Sequence, residues 1–354
     1  MQAPVPGQLP PVPRVLSAWY VLAETHELRA GAKPLRRSLY GDPIALWRGE
    51  DGVAAAVVDR CPHRDVPLSF GQVRGNHLQC GYHGWEFDGQ GACKRIPSLL
   101  GEADRPGRRV ARFEVREQQG LVWVWATPGA EPDVDPHRFL YADKPEYMTV
   151  RMQLQADGSL HSVAENALDV PHTAFLHGGL FRKDSATRNR IQASLRRTTE
   201  MVECEYIGEP RPEGLVARLL SPSGGLVTHF DRFVMPCIAE VEYGMGTENH
   251  FVNAVALTPV DDHVTRLYSV SSLRTRLPTL LVRPVVQPLA LRIFQQDAVV
   301  LKLQRDSMQH FGTARYTSTE VDLVGPHILR MLNRAASGGQ PSGETYTTVV
   351  ELEV

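Results

Sequence analysis

The sequence predicts two domains of different class: an all-β domain, then an α+β domain whose antiparallel sheet is flanked by helices. Residues 17–127 consist of short strands separated by turns, as in the run IALWR-GEDG-VAAAVVD. The segment TPGAEPDVDP at 127–136 has the composition of a linker. Longer strands follow, together with helical stretches at about 159–180, 289–305 and 319–336, so we place the second domain at 136–354.

Composition and charge exclude several classes of function. Residues 1–16 are proline-rich and lack an apolar core, which predicts an extended leader and not a signal peptide. A net charge of −2 gives no electrostatic case for nucleic-acid binding. No apolar run reaches the roughly 18–20 residues that cross a bilayer. The cysteines are odd in number and scattered, which favours a cytoplasmic protein over a secreted disulfide framework; they are Cys61, Cys80, Cys93, Cys204 and Cys237.

Two Cys/His pairs in the first domain have the spacing of a metal site. Cys61-Pro62-His63 is followed, after sixteen residues, by Cys80-Gly81-Tyr82-His83, and each pair is at the tip of a predicted hairpin. Zinc accepts these ligand types, but zinc fingers usually pair Cys with Cys on a hairpin and His with His on a helix. Here each arm carries one of each. This favours a [2Fe–2S] cluster with two thiolates on one iron and two imidazoles on the other, and zinc is the alternative.

The stretch CPHRDVPLSFG…LQCGYHGWEFDGQGACKRIPS resembles the Rieske centre of ring-hydroxylating oxygenases. Respiratory Rieske proteins carry a further cysteine in each loop, and the two form a disulfide; Val66 and Tyr82 stand at those places here. The resemblance implies a cluster of lower potential, suited to oxygen chemistry. Cys93 is predicted to be a packed residue and not a ligand. Trp85 is expected either beside the cluster at a subunit surface or in the domain core.

A second group of candidate ligands lies in ENALDVPHTAFLHGG, residues 165–179. His172 and His177 are five apart, about 140° on an ideal helix, so they reach one metal only if the helix widens or ends there. Pro171 and the glycine pair Gly178-Gly179 favour such an interruption. The run LRIFQQDAVVLKLQ adds Asp297 on an apolar helical stretch, where a carboxylate needs a partner. Two imidazoles and a carboxylate form the facial triad of non-haem Fe(II) oxygenases. Taken singly, the three residues could be ordinary histidines and a solvated acid.

The pattern Asn-x-x-Asp-x-x-His-x4-His is similar to the iron motif of Rieske oxygenase α subunits, and Phe-x-x-Asp is similar to their third-ligand helix. The resemblance implies that His172, His177 and Asp297 bind Fe(II). It also implies that Asp169 links His172 to a cluster histidine of a neighbouring subunit in a head-to-tail homotrimer. That histidine is His83 or His63. Asn166 is implied to lie near the iron without binding it firmly.

The resemblance further implies a monooxygenase that works with O2 and with electrons from NAD(P)H. The chain has no glycine-rich dinucleotide fingerprint, so a separate reductase, with or without a ferredoxin, must supply the electrons. We expect hydroxylation or oxidative demethylation of a bulky, weakly polar cyclic substrate such as a sterol. The alternatives are a vanillate-type aromatic O-demethylase, a ring dioxygenase, or a Rieske electron-transfer protein without catalysis.

The predicted substrate pocket lies between the strands of the second domain and the segment after His177. We expect an apolar lining formed by aromatic and aliphatic residues there, with a polar residue as an anchor for the substrate. The candidates for the lining are Phe175, Leu180, Phe181, Phe233, Met235 and Phe251, and those for the anchors are Asn253 and His250.

Overall fold

The computed structural model describes residues 7, 9–177, 190–209, 227–246, 249–275, 279–339, 343 and 345–353. Tertiary contacts divide the chain into two units. One comprises residues 16–138 together with Thr258–Asp261, and the other comprises 1–15, 139–257 and 262–354. No helix in the described part of the chain is both long and apolar enough to cross a membrane.

The first unit is built from three small antiparallel sheets. Their strand orders are β1-β11-β10, β2-β3-β4-β9 and β5-β6-β7-β8. The strands are β1 Trp19–Glu24, β2 Leu35–Leu39, β3 Asp42–Arg48, β4 Ala54–Val58, β5 Gln72–Arg74, β6 His77–Gln79, β7 Glu86–Phe87, β8 Cys93–Arg95, β9 Arg112–Phe113, β10 Val115–Gln118 and β11 Leu121–Trp125. Three short 3₁₀ turns connect them, at Thr25–Glu27, Leu68–Phe70 and Pro106–Arg108.

The core of this unit packs directly behind the two Cys/His arms. Trp47, Leu68, Leu78 and Phe87 are fully buried in one cluster that also contains Cys61 and Cys80, among others. Each fully buried side chain of this size contributes about 1.5–3 kcal/mol of hydrophobic stabilisation. The arms are therefore anchored on a rigid base, although they are turns.

The segment predicted as a linker makes hydrogen bonds within the first unit. Trp19 Nε1 donates to Val134 O at 2.7 Å, and the Gln118 side chain donates to His137 O at 2.8 Å. The predicted leader also has contacts in its own unit, because Arg14 forms a bidentate ion pair with Asp262.

The second unit contains an eight-stranded sheet of order β12-β18-β17-β16-β15-β14-β13-β19. The antiparallel sheet expected from the sequence is present. Its strands are β12 Met148–Ala156, β13 Arg190–Arg197, β14 Met201–Ile207, β15 Val227–Val234, β16 Ile238–Met245, β17 Asn249–Asp261, β18 Val264–Arg274 and β19 Tyr346–Glu353. A predicted strand at 214–220 lies outside the described residues.

Four helices accompany the described part of this sheet: α1 Leu160–Ala167, α2 His172–Leu176, α3 Thr279–Phe311 and α4 Gly325–Ala336. The helix predicted over 159–180 is thus two short helices. The helix predicted over 289–305 is longer at both ends, since α3 spans Thr279–Phe311. Pro284 and Pro288 therefore lie inside it. Both prolines are exposed, so the carbonyl groups that they leave unbonded can be hydrated.

One face of the eight-stranded sheet, which we call the inner face, points toward the helices. On β18, beside the edge strand β12, Thr265 Oγ1 donates to the carbonyl of Gly158, and a Cβ added at Gly158 would meet Val163 of α1 and Leu301 of α3. At the other edge, Arg197 contacts His327 of α4. Cross-strand register places Asp231, Val241 and Asn253 on this same face.

Candidate metal centres

The two Cys/His arms are tight turns with the same backbone hydrogen bonds. The N–H groups of Cys61 and Cys80 donate to the carbonyl five residues later, at 2.9 and 2.8 Å. Their carbonyls accept from the N–H four residues later, at 2.9 and 3.1 Å. That fourth residue has a positive φ in both arms, 58° at Asp65 and 70° at Gly84. The arms therefore have matching backbones although their histidines stand at different offsets from the cysteine.

The side chains of the arms converge. Cys61 and Cys80 are 2% and 3% exposed, and their thiols hydrogen-bond with each other, which lowers the pKa of Cys80. The rings of His63 and His83 lie 4.5 Å apart, centroid to centroid. Nδ1 of His63 is buried and has no hydrogen-bond partner among the described residues. Trp85 stacks on His63 at 4.8 Å and 8°, which places it beside this group.

The four side chains do not have the geometry of a single closed zinc site. In tetrahedral zinc sites all four donor atoms lie about 2.0–2.3 Å from one ion, so they must lie within about 4 Å of one another. Among the described residues, only His172, His177 and Asp297 form a group of three or more candidate ligands whose atoms all lie within 4.8 Å of one another. A thiol pair next to an imidazole pair, spread over a larger distance, fits a cluster of two irons.

The remaining cysteines do not extend this group. All five cysteines are buried, and none of them forms a disulfide. Cys93 is fully buried, and its thiol contacts the carbonyl of Arg95 at 3.8 Å. Tyr82, which stands where respiratory proteins have the further cysteine, is 61% exposed. The centroid of its ring lies 3.8 Å from that of His83.

In the second unit, three side chains form a triangle of donor atoms. The Nε2 atoms of His172 and His177 are 3.3 Å apart, and they lie 3.5 and 3.2 Å from Asp297 Oδ1. A point at the centre of this triangle is roughly 1.9 Å from each atom, slightly less than the usual metal–nitrogen distance of about 2.0–2.1 Å. An ion of that kind would be held by His172, His177 and Asp297. Asp297 Oδ1 is buried and makes no hydrogen bond among the described residues, which is the expected condition of a ligand atom.

The local sequence explains how two histidines five residues apart meet. Ser159 caps α1 by accepting from the N–H of Ser162, and the helix ends at Ala167. The chain restarts as α2 after Pro171, with His172 as its first residue and His177 as its C-cap. The interruption turns the two imidazoles toward each other, as the spacing required. Gly178 and Gly179 lie outside the described residues.

One imidazole of the triangle is hydrogen-bonded through its other nitrogen, whereas the other nitrogen of His172 has no hydrogen bond among the described residues and lies at ion-pair distance from a carboxylate. His177 Nδ1 faces Gln296 Oε1 at 2.9 Å, and His172 Nδ1 lies 3.3 Å from Asp169 Oδ2. Such outer contacts set the tautomer and the ring orientation of metal-binding histidines. Burial opposes protonation of His172, but Asp169 and Asp297 raise its pKa to about 9, so the site attracts positive charge. Sequence reasoning missed Gln296, although its place next to Asp297 was a usable signal.

Asn166 and Glu165 occupy the last turn of α1. The described contacts include no hydrogen bond from the Asn166 side chain to the triangle. Glu165 is half-buried, and burial together with Asp169 and Asp322 raises its pKa to about 7. A carboxyl group that titrates near neutrality therefore stands one helical turn before Asp169.

The predicted pocket residues are dispersed. Phe175 is 76% exposed, and His250 lies on the outer face, where it contacts Glu242 and Tyr147. Phe233 is fully buried on the inner face, and Phe251 and Asn253 are half-buried on it. Met235 is partly exposed after the end of β15. Leu180 and Phe181 lie outside the described residues.

Two family models match the chain. The Rieske [2Fe-2S] domain matches residues 18–106, and the vanillate O-demethylase oxygenase C-terminal domain matches residues 156–338, more than half of the chain. The chain belongs to the Rieske non-haem iron oxygenases. The recognition made from the two motifs is thereby confirmed, as are the Rieske [2Fe–2S] and non-haem iron cofactors of the family.

Individual relatives match different lengths of this Rieske oxygenase. It is 40% identical to the oxygenase component of dicamba O-demethylase from Stenotrophomonas maltophilia over 181 residues, which are 49% of the chain and 51% of that protein. It is 29% identical to the oxygenase subunit of 3-chlorobenzoate-3,4-dioxygenase from Comamonas testosteroni, over 71% of the chain and 57% of the relative. The chain thus spans about half the length of the curated relatives it matches.

The fold is similar to a crystal structure of dicamba monooxygenase with non-haem iron and dicamba. That comparison gives a TM-score of 0.70 and 27% identity, and it covers 92% of this chain and 98% of the other. The predicted fold class, an all-β Rieske domain followed by a catalytic domain with a large antiparallel sheet, is confirmed.

Proposed function

We propose that the chain is the terminal oxygenase of a multicomponent enzyme that demethylates or hydroxylates a small cyclic substrate with O2 and reductase-supplied electrons. The observation that carries this proposal is the triangle of His172, His177 and Asp297, with edges of 3.2–3.5 Å. Such a ligand set leaves positions open for O2 beside the substrate, whereas an electron carrier needs no such site.

The residues have separate roles in this proposal. Cys61, Cys80, His63 and His83 hold the cluster, and His172, His177 and Asp297 hold Fe(II). When bound, these groups supply one-electron transfer and O2 activation. Gln296 and Asp169 keep the imidazoles in the orientation that leaves Nε2 free to bind metal. Asp169 also provides the hydrogen-bonded route from a cluster histidine of a neighbouring copy, in a homotrimer.

Among the substrate classes, the relatives favour the aromatic alternative. Oxidative O-demethylation consumes O2, two electrons and two protons, and it releases an alcohol or phenol, formaldehyde and water. A ring dioxygenase is the second candidate, because one relative is named as a 3-chlorobenzoate dioxygenase. The expectation of a sterol has no support among the three proteins compared above. The cytoplasmic location stays a prediction, as do the separate reductase and ferredoxin partners.

Iron content and product mass test the proposal together. The chain, loaded with iron and supplied with a surrogate reductase, is expected to hold about three irons and to turn over methoxylated aromatic acids with release of formaldehyde. His177→Ala should lower the iron content to about two and abolish turnover while the cluster spectrum is retained. The matched control is His310→Ala, an exposed histidine on the same helix as Asp297. Full iron content and turnover in His177→Ala would refute the proposed site.

A further inference from the structure

A belt of polar side chains crosses the inner face of the eight-stranded sheet. At one end, the hydroxyls of Ser269 and Ser271 donate to Asn253 Oδ1 at 2.8 and 2.9 Å. Asn253 is paired across the strands with Val241, and Val241 is paired with Asp231. Next to the belt the same face carries buried apolar residues, such as Val202 and Phe233 on one side. A buried sheet face is normally apolar, because burying polar groups costs free energy. Packing of the sheet alone does not account for the polar belt.

His229 is the centre of the belt and is held from four sides. Nδ1 lies 2.7 Å from Glu209 Oε2, and Nε2 lies 3.0 Å from Asp231 Oδ1. Its ring is stacked between Tyr206 at 4.6 Å and Tyr243 at 4.0 Å. His229 and Asp231 are each 1% exposed. A side chain fixed in this way cannot rotate, so the positions of the two carboxylates are fixed as well.

One atom of this group lacks a donor. Asp231 Oδ2 is buried and has no hydrogen-bond partner among the described residues. Burial opposes protonation of His229, but Asp231 and Glu209 raise its pKa to about 9, so it carries one positive charge. Burial also raises the pKa of Asp231, so an ionised carboxylate is unfavourable here without a further donor. An unsatisfied oxygen on a buried carboxylate is costly, and it is the kind of group that a ligand donor satisfies.

This oxygen lies on the sheet face toward which the helices of the metal centre point. The inner face is the one against which α1 and α3 pack, and α3 carries Asp297. A substrate held between this helix and the sheet would have the polar belt on its sheet side. The pocket expected from the sequence has an apolar lining with Asn253 as one polar anchor, and it includes neither Asp231 nor His229.

We propose that Asp231 is a specificity-determining residue whose free carboxylate oxygen accepts a hydrogen bond from an O–H or N–H group of the substrate. His229, clamped by the tyrosines and by Glu209, acts as a positioning residue that fixes Asp231. This rests on the proposed oxygenase function and narrows it to substrates that carry a donor group, such as phenols and secondary amines. A cyclic hydrocarbon or fully alkylated ether would leave the oxygen unsatisfied, and such a site rejects analogues that lack the donor.

The test uses pairs of aromatic ethers that differ in one methyl group. The neutral pair is guaiacol, which has a free phenol, and veratrole, in which the phenol is methylated; the acidic pair is vanillate and veratrate. Binding to the fully loaded enzyme is measured by titration calorimetry without oxygen. We expect the phenol of the neutral pair to bind about 10-fold or more tightly than the blocked ether. Both members of the acidic pair carry the carboxylate, so repulsion by the group should weaken the binding of both and leave a similar ratio.

Variants separate this role from general disturbance of the sheet. Asp231→Asn, which keeps the shape of the side chain, should bring the guaiacol-to-veratrole ratio to within about 3-fold. Glu203→Gln, on the opposite face of the neighbouring strand, should keep the native ratio. His229→Gln keeps Asp231 but removes the ring that fixes it, so it should lower the guaiacol-to-veratrole ratio, and it serves if Asp231→Asn does not fold.

Three results would overturn the proposal. They are equal affinities or no phenol binding in the native enzyme, an unchanged ratio in Asp231→Asn, and loss of the ratio in Glu203→Gln. Because binding is measured without turnover, a preference for the phenol in an enzyme that releases no formaldehyde would refute the proposed reaction and leave this inference standing.

Discussion

The two metal centres of this chain are built in opposite ways. The cluster ligands lie within 23 residues on two turns with matching backbone hydrogen bonds, and the core behind them is almost wholly apolar. The iron ligands come from two helices separated by more than a hundred residues, and they depend on side-chain partners for their orientation. The first centre should therefore be sensitive to changes of backbone, and the second to changes of side chains in its surroundings.

The backbone of the first centre can be tested at Gly71. A Cβ on this residue would lie 1.9 Å from the carbonyl oxygen of Gln79, the residue before Cys80. We expect Gly71→Ala to displace the second arm, to lower the free energy of unfolding by about 3 kcal/mol and to reduce cluster loading. Urea unfolding and the visible absorption of the cluster measure these effects. Gly107→Ala, where a Cβ meets nothing within 4 Å, should change stability by less than about 0.5 kcal/mol.

The proposed electron route between the centres can be tested at Asp169, which lies 3.3 Å from His172 Nδ1. Asp169→Asn should keep about three irons per chain and slow reoxidation of the reduced cluster in the presence of substrate and O2, by roughly 10–100-fold. Stopped-flow absorbance follows this reoxidation. An unchanged rate would exclude Asp169 from the route of the electrons.

The side-chain dependence of the second centre is tested at Gln296. Replacing it by Leu removes the acceptor 2.9 Å from His177 Nδ1, so the ring is no longer held with Nε2 toward the other ligands. We expect iron to be bound about 10-fold more weakly, with a normal cluster spectrum. Gln296→Glu keeps an acceptor and should restore binding. An equal loss of iron affinity in both variants would contradict a role for the Gln296 side chain as hydrogen-bond acceptor for His177.

A smaller effect concerns the dependence of stability on pH. Glu165 has a pKa of about 7 in the folded chain, against an ordinary value of 4.5. Between these values the folded state holds a proton that the unfolded state releases, so stability falls as the pH rises from about 4.5 to 7. In Glu165→Gln the free energy of unfolding should decrease by roughly 1–2 kcal/mol less over this range, a value lowered because the side chain is partly exposed. Unfolding midpoints measured over this pH range test the prediction. An equal slope of stability against pH in the native protein and in the variant would contradict the raised pKa of Glu165.

Much of the molecule could be predicted because its signals are local. Strand β14 was predicted at its observed limits, Met201–Ile207, since its apolar residues alternate with polar ones. The proposed ligands of both centres follow from spacing and residue type, and they stay predictions. The break before His172 followed from Pro171, which cannot continue an ordinary helix.

The features that sequence reasoning missed depend on partners distant in the chain. Strand β16 reads IAEVEYGM, and its two glutamates are stable there because Arg232 of β15 bridges them on the outer face. The polar belt is invisible for the same reason: His229 pairs with Glu209 and stacks between two other strands. Helix α3 starts earlier than predicted because tertiary packing outweighs the cost of its two exposed prolines.

The distance between the two ligand sets along the chain also orders their appearance during synthesis. Domains tend to fold from the N-terminus as the ribosome adds about 5–20 residues per second. The four cluster ligands are complete at His83, whereas Asp297 is added more than 200 residues later, roughly 10–40 s afterwards at that rate. The edge strand β19 comes later still, because it is formed by Tyr346–Glu353. The nascent chain can therefore acquire its iron–sulfur cluster while the catalytic site does not yet exist, and an enzyme that carries the cluster alone is the expected product of a shortage of Fe(II) or of premature termination.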